Sequence, residues 1–117
     1  ALIVTAIGSQ GQGPYYQRVY RANSDGTNFT QVANIDSTRT GGMVDIAISP
    51  NNDVFVLTVH IEEGHYKEII FHISNNNEIS RFIEISAGRD PKSIDVDSKG
   101  NVWFCTTVGV FRVVPSR

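Results

Sequence analysis

The sequence predicts an all-β fold built from imperfect repeats of antiparallel strands, and three observations carry that prediction. Residues 91–113, PKSIDVDSKGNVWFCTTVGVFRV, read as strand, turn, strand, turn, strand. Ile94 and Val96 alternate there with Ser93, Asp95 and Asp97, the period of a half-buried strand. Residues 43–58, MVDIAISPNNDVFVLT, align without a gap on residues 91–106. That alignment sets Ile46 on Ile94, Ile48 on Val96, Val54 on Val102 and Phe55 on Trp103, an offset of forty-eight residues. Finally, no segment spaces its apolar residues helically over the roughly ten positions a helix needs.

A period of roughly 40–50 residues in a strand-rich chain is the mark of a four-stranded propeller blade. The expected architecture is therefore a β-propeller segment of four-stranded antiparallel blades, with a β-sandwich as the alternative. Residues 1–42 form a partial blade, 43–90 a full one and 91–117 a second partial one, giving about ten strands and roughly two and a half blades. A closed propeller needs about 4–8 blades. One copy of 117 residues cannot close such a ring. The expected partners are other copies of the chain or the rest of a longer parent, because uncovered blade faces and strand edges invite pairing. A start on an apolar strand without an initiator Met agrees with a piece of something longer.

Each element has a local reason. ALIVTAI at 1–7 is a buried strand, and GSQGQGP at 8–14 a flexible loop closed by Tyr15 and Tyr16. Residues 17–23 alternate, and Asp25-Gly26 signals a hairpin turn into the return strand at 28–33. Residues 35–42 form a polar linker. In the full blade the strands are 43–48, 53–60, 67–73 and 78–85, with 61–66 as an exposed connection. In 97–101 the Asp and Ser side chains can bond nearby backbone, and Gly100 can take positive φ without a Cβ clash. Residues 102–108 are strand formers, apolar on both sides and in need of cover on both faces. Gly109 breaks that run, a short strand follows, and Pro115 ends it.

Composition excludes some classes. The chain is 40% hydrophobic and 19% charged with a net charge of −2. That suits a globular protein and supplies no basic stripe for nucleic acid or anionic membrane. No apolar run approaches the roughly 18 residues of a membrane span. Cys105 is the single cysteine, and its apolar strand predicts a buried, inert thiol. Asn28-Phe29-Thr30 is a glycosylation sequon, a pointer towards an extracellular or secreted protein.

GNVW at 100–103, with Thr106 and GVFR at 109–112, resembles the repeat of two-component-regulator propellers. It is also similar to the tectonin repeat of propeller lectins. Residues 90–102 resemble NHL-type repeats, and residues 19–29 resemble the third strand and turn of receptor YWTD propellers. Residues 52–55 depart from the pattern, with Asn52-Asp53 for Gly-Asn and Phe55 for Trp. The tectonin-like motif implies a non-enzymatic, carbohydrate-binding module. The regulator and NHL resemblances imply a ligand-sensing or protein-docking segment of a larger protein. Third stands a metal-dependent hydrolase of the lactonase type, which the strand pattern resembles.

Trp103 and Asn101 are candidate sugar contacts, an indole for the apolar face of a ring and an amide for its hydroxyls. Tyr15 and Tyr16, beside the Gly-rich loop, are candidates for surface recognition. The default role of Trp103 is packing between blades, and as equivalents in consecutive blades Phe55 and Trp103 are both expected to be largely buried. His60, Glu62, Glu63 and His65 are the densest group of possible metal ligands, but their spacing matches no metal motif. No nucleophile elbow or phosphate loop is present, and no cofactor is called for.

Overall fold

A computed structural model of the chain describes residues 2–9, 15–34, 41–62, 65–85 and 91–113. These residues form ten strands and no helix: β1 (Leu2–Ser9), β2 (Tyr15–Ala22), β3 (Thr30–Asn34), β4 (Gly41–Ile48), β5 (Val54–Glu62), β6 (His65–Ile73), β7 (Ile79–Ile85), β8 (Pro91–Val96), β9 (Val102–Thr106) and β10 (Gly109–Val113). They make three up-and-down antiparallel sheets, β1-β2-β3, β4-β5-β6-β7 and β8-β9-β10. The chain is all-β with propeller-type blades, the central one four-stranded, and not the two-sheet sandwich held as the alternative.

The repeat is visible in the backbone. Ile48 pairs with Val54 across the β4–β5 turn, and Val96 pairs with Val102 across the β8–β9 turn. Both turns close identically. The Ser49 N–H donates to the Asp53 carbonyl and the Asn52 N–H to the Ser49 carbonyl; Asp97, Asn101 and Gly100 repeat the pattern. The β2–β3 and β6–β7 connections use the same closure, at 23–27 and 74–78. One residue in each turn takes positive φ: Gly26, Asn52, Asn77 and Gly100. Asn and Gly are the residues that tolerate that conformation, so different side chains build one turn. Bulges recur as well. Val44 in β4 and Lys92 in β8 are extra residues, as are Val32 in β3 and Phe82 in β7.

Packing explains why β5 is apolar on both sides. Val54 and Val56 join Val19, Ala33 and Ile73 in a cluster between the first and central sheets. Phe55 and Leu57 point the other way, into a cluster with Ile70, Ile85, Ile94, Val102 and Phe104 between the central and third sheets. Burying each such side chain is worth roughly 1.5–3 kcal/mol, so both faces of the central sheet contribute to cohesion. The first strands of adjacent blades also touch: the Ile94 N–H donates to the Asp45 carboxylate at 2.9 Å, beside the β4 bulge.

The structure corrects several expectations. Residues 61–62 and 65–66 belong to β5 and β6 rather than to a connection, because the ladder continues to the Glu62–His65 pair; residues 63–64 lie outside the described residues. The strand from Val102 ends at Thr106, with Thr107 and Val108 as its turn. Phe55 is 5% exposed, but Trp103 is 37% exposed and Val110 67%. Trp103 lies on the face of β9 opposite Val102 and Phe104, which pack on the central blade, and the Arg112 side chain lies over its ring. Cys105 is only half-buried, its thiol 3.7 Å from the Thr106 carbonyl.

Candidate functional site

The four equivalent turns connect strands at one end of the sheets and form a polar rim. Between the rims of the second and third blades opens a cleft of about 400 Å³. Ser49, Pro50, Asn51 and Asp53 line it from the β4–β5 turn, with Phe55, His72 and Phe82 behind them. Across the gap stand Ser98, Lys99 and Gly100 of the β8–β9 turn.

Strand pairing assembles the inner wall. Phe55 lies opposite His72 in the β5–β6 ladder, and their rings stack at 4.9 Å. Phe82, the extra residue of the β7 bulge, meets Phe55 edge-on at 5.1 Å. His72 Nε2 lies 3.1 Å from Asp53 Oδ2, which makes that nitrogen the protonated donor, since a carboxylate only accepts. The other oxygen, Oδ1, accepts the Asn75 N–H at 2.8 Å. Ser49 Oγ accepts the Asp53 N–H at 3.1 Å and so fixes the turn under the carboxylate. The cleft thus presents a fixed, partly exposed carboxylate and imidazole above an aromatic wall. Among the described residues His72 bonds Asp53 and no hydroxyl or thiol. The cleft's chemistry suits binding: hydrogen bonding to polar groups and contact with an apolar face.

The preceding junction is built differently. Arg21 in β2 stands two residues before its turn, as His72 does in β6. Its guanidinium crosses to the central blade, where Nη2 donates to the Asn52 carbonyl at 2.7 Å and Nε to Asn77 Oδ1 at 2.9 Å. Arg21 bridges its inter-blade junction, whereas the His72 side chain turns back to Asp53 on its own blade.

Of the residues singled out in the sequence, Asn101 and Trp103 come together. Asp97 organises both. Its carboxylate accepts the Trp103 indole N–H at 2.9 Å, the Asn101 side-chain amide at 3.2 Å, and the backbone N–H groups of Lys99 and Asn101. The indole bond above all holds the Asp97 pKa down to about 2. Arg112 lies over the indole, 5.7 Å from its centroid. Asn101 and Trp103 are the repeat equivalents of Asp53 and Phe55, one blade on. Tyr15 and Tyr16 pair with Ser9 and Gly8 in the β1–β2 ladder, and their side chains lie outside the described residues. So do those of His60, Glu62 and His65, while Glu63 lies outside altogether; in register, Glu62 faces His65 and His60 faces Lys67. Among the described residues no group of three metal-ligating side chains converges.

Sequence reasoning did not single out Asp53, His72, Phe82 or Lys99. The forty-eight-residue offset carries Asn101 and Trp103 back onto Asp53 and Phe55. Linking His72 and Phe82 to them requires the third and fourth strands of the blade.

No protein-family model matches the chain. No curated protein sequence matches it significantly. Among solved structures it is similar to a selenomethionine-substituted virginiamycin B lyase from Staphylococcus aureus, with 13% identity and a TM-score of 0.29 over 94% of this chain and 55% of that one. It is similar also to a streptogramin B lyase, with 10% identity and a TM-score of 0.29 over 97% of this chain and 59% of that one. The chain spans little more than half the length of these proteins, and likeness at that score carries no argument about function.

Proposed function

We propose that the chain is a non-enzymatic binding module whose ligand is a carbohydrate, held in the cleft between the second and third blades. The observation that supports this reading is the pairing, in one cleft of about 400 Å³, of aromatic Phe55 and Phe82 with Asp53, His72, Asn51 and Ser98. A pyranose needs that combination, an apolar surface for its C–H face and fixed donors and acceptors for its hydroxyls. Asn101 and Trp103, one repeat on, extend the same reading to the next inter-blade position. Glycan-array screening followed by calorimetry with simple sugars tests it. Binding of a sugar that is lost in Phe82→Ala supports the module; no binding at millimolar sugar removes the carbohydrate assignment.

A further inference from the structure

The two inter-blade junctions differ at one equivalent position, and the difference points to a ligand group. At the first junction Arg21 of blade one donates to the Asn52 carbonyl of the β4–β5 turn and to Asn77 and Ser74 of the β6–β7 turn. The junction therefore has a shape and acceptor set that suit a cationic nitrogen donor. At the second junction His72 stands where Arg21 would, and Gly100 stands where Asn52 does, both with positive φ. Here His72 bonds Asp53 instead of reaching across. The space is the cleft, and its wall carries a carboxylate that is about a quarter exposed, at 26%.

We infer that the inner end of this cleft takes a cationic nitrogen group of the ligand, an ammonium or guanidinium, in the place that Arg21 fills at the neighbouring junction. The inference rests on the reading of the cleft as the ligand site and not on the ligand being a sugar. Three features carry it. Asp53 supplies a charged acceptor, and each of its oxygens has one described donor, which leaves lone pairs for more. The Gly100 turn closes as the Asn52 turn does, so the Gly100 carbonyl is the repeat equivalent of the one that Arg21 uses, and the only one of Arg21's three acceptors with a counterpart among the described residues. Phe55 and Phe82 supply aromatic rings, against which a cation is favourable. Lys99 opposes it, but it sits on an exposed turn where solvent and salt screen its charge. A basic amino sugar and a free basic side-chain analogue share this chemistry.

The test is calorimetry on the whole chain near neutral pH with four probes: glucosamine, glucose, N-acetylglucosamine and methylguanidine. A charged hydrogen bond contributes enough that glucosamine should bind about tenfold more tightly than glucose and N-acetylglucosamine, and methylguanidine should bind at the same place. Asp53→Asn should remove that preference. His72→Arg should abolish binding by filling the cleft as Arg21 fills its own, with the circular dichroism spectrum unchanged. At low ionic strength, where its charge is least screened, Lys99→Ala should tighten the cationic probes alone, and it keeps the test decisive if Asp53→Asn unfolds. Glucosamine, glucose and N-acetylglucosamine binding equally would overturn the inference while leaving the carbohydrate reading standing. Binding of methylguanidine but of no sugar would sustain the inference and end that reading. No binding of either cationic probe, or cationic binding unchanged in His72→Arg, overturns it.

Discussion

Two adjacent residues in β5 distinguish stacked blades from a sheet with one wet face. Val56 is fully buried against the first blade and Leu57 fully buried against the third. Replacing Val56 by Ala removes two methyl groups, worth about 1.6 kcal/mol in transfer at roughly 0.8 per carbon, plus a small cavity term. Leu57→Ala removes a larger group from an equally closed site and should cost about 2–5 kcal/mol. Val110→Ala is the control: at 67% exposure it should change stability by less than about 0.5 kcal/mol. Urea unfolding followed by circular dichroism at one protein concentration measures all three. Both β5 variants should lower the midpoint well beyond the control. A cost below about 0.5 kcal/mol for either one would refute packing on both faces, because an exposed strand face tolerates truncation.

Other outcomes follow from single contacts. Trp103→Ala should cost less than the roughly 3–5 kcal/mol of a buried aromatic, since the ring is 37% exposed; a full-size loss in chemical denaturation would mean that another surface covers it in solution. Gly100 has φ +86 with open space around its missing Cβ, so Gly100→Ala should destabilise by about 1 kcal/mol from backbone strain alone; an unchanged melting temperature would contradict that turn geometry. The Asp97 pKa is lowered in the folded chain from 3.8 to about 2. Its contribution is thus fully present above the unfolded value and is lost as pH falls through that interval. The stability gap between wild type and Asp97→Asn should therefore narrow across it, and a gap that does not vary with pH would show that the carboxylate is not held by Trp103.

The repeat was legible because strand alternation and turn chemistry are local. The match of 43–58 to 91–106 correctly paired the two turns and set Phe55 against Trp103, since Asn52 and Gly100 can both adopt the same positive φ. Burial at Trp103 was misjudged for a physical reason. The pattern shows which face of its strand a residue lies on but not how completely that face is covered, and the Arg112 side chain over Trp103 leaves it 37% exposed. The cleft was only half legible. Asn101 and Trp103 lie at its repeat-equivalent positions, but the difference between Arg21 and His72 is a matter of which way a side chain reaches. His72 looks like an ordinary strand residue until cross-strand pairing sets it beside Phe55 and Asp53. Phe82 enters through a bulge, which shifts register in a way that alternation alone does not reveal.

The most direct test of the account is chemical-shift mapping of the isotopically labelled chain titrated with glucosamine. The largest amide shifts should cluster at Asn51, Asp53, His72, Phe82 and residues 98–100, and His72→Arg should erase them while the remaining spectrum stays dispersed. Shifts centred instead on Val108 and Val110 would contradict the assignment of the cleft as the ligand site, and no shifts at all would contradict glucosamine as its ligand.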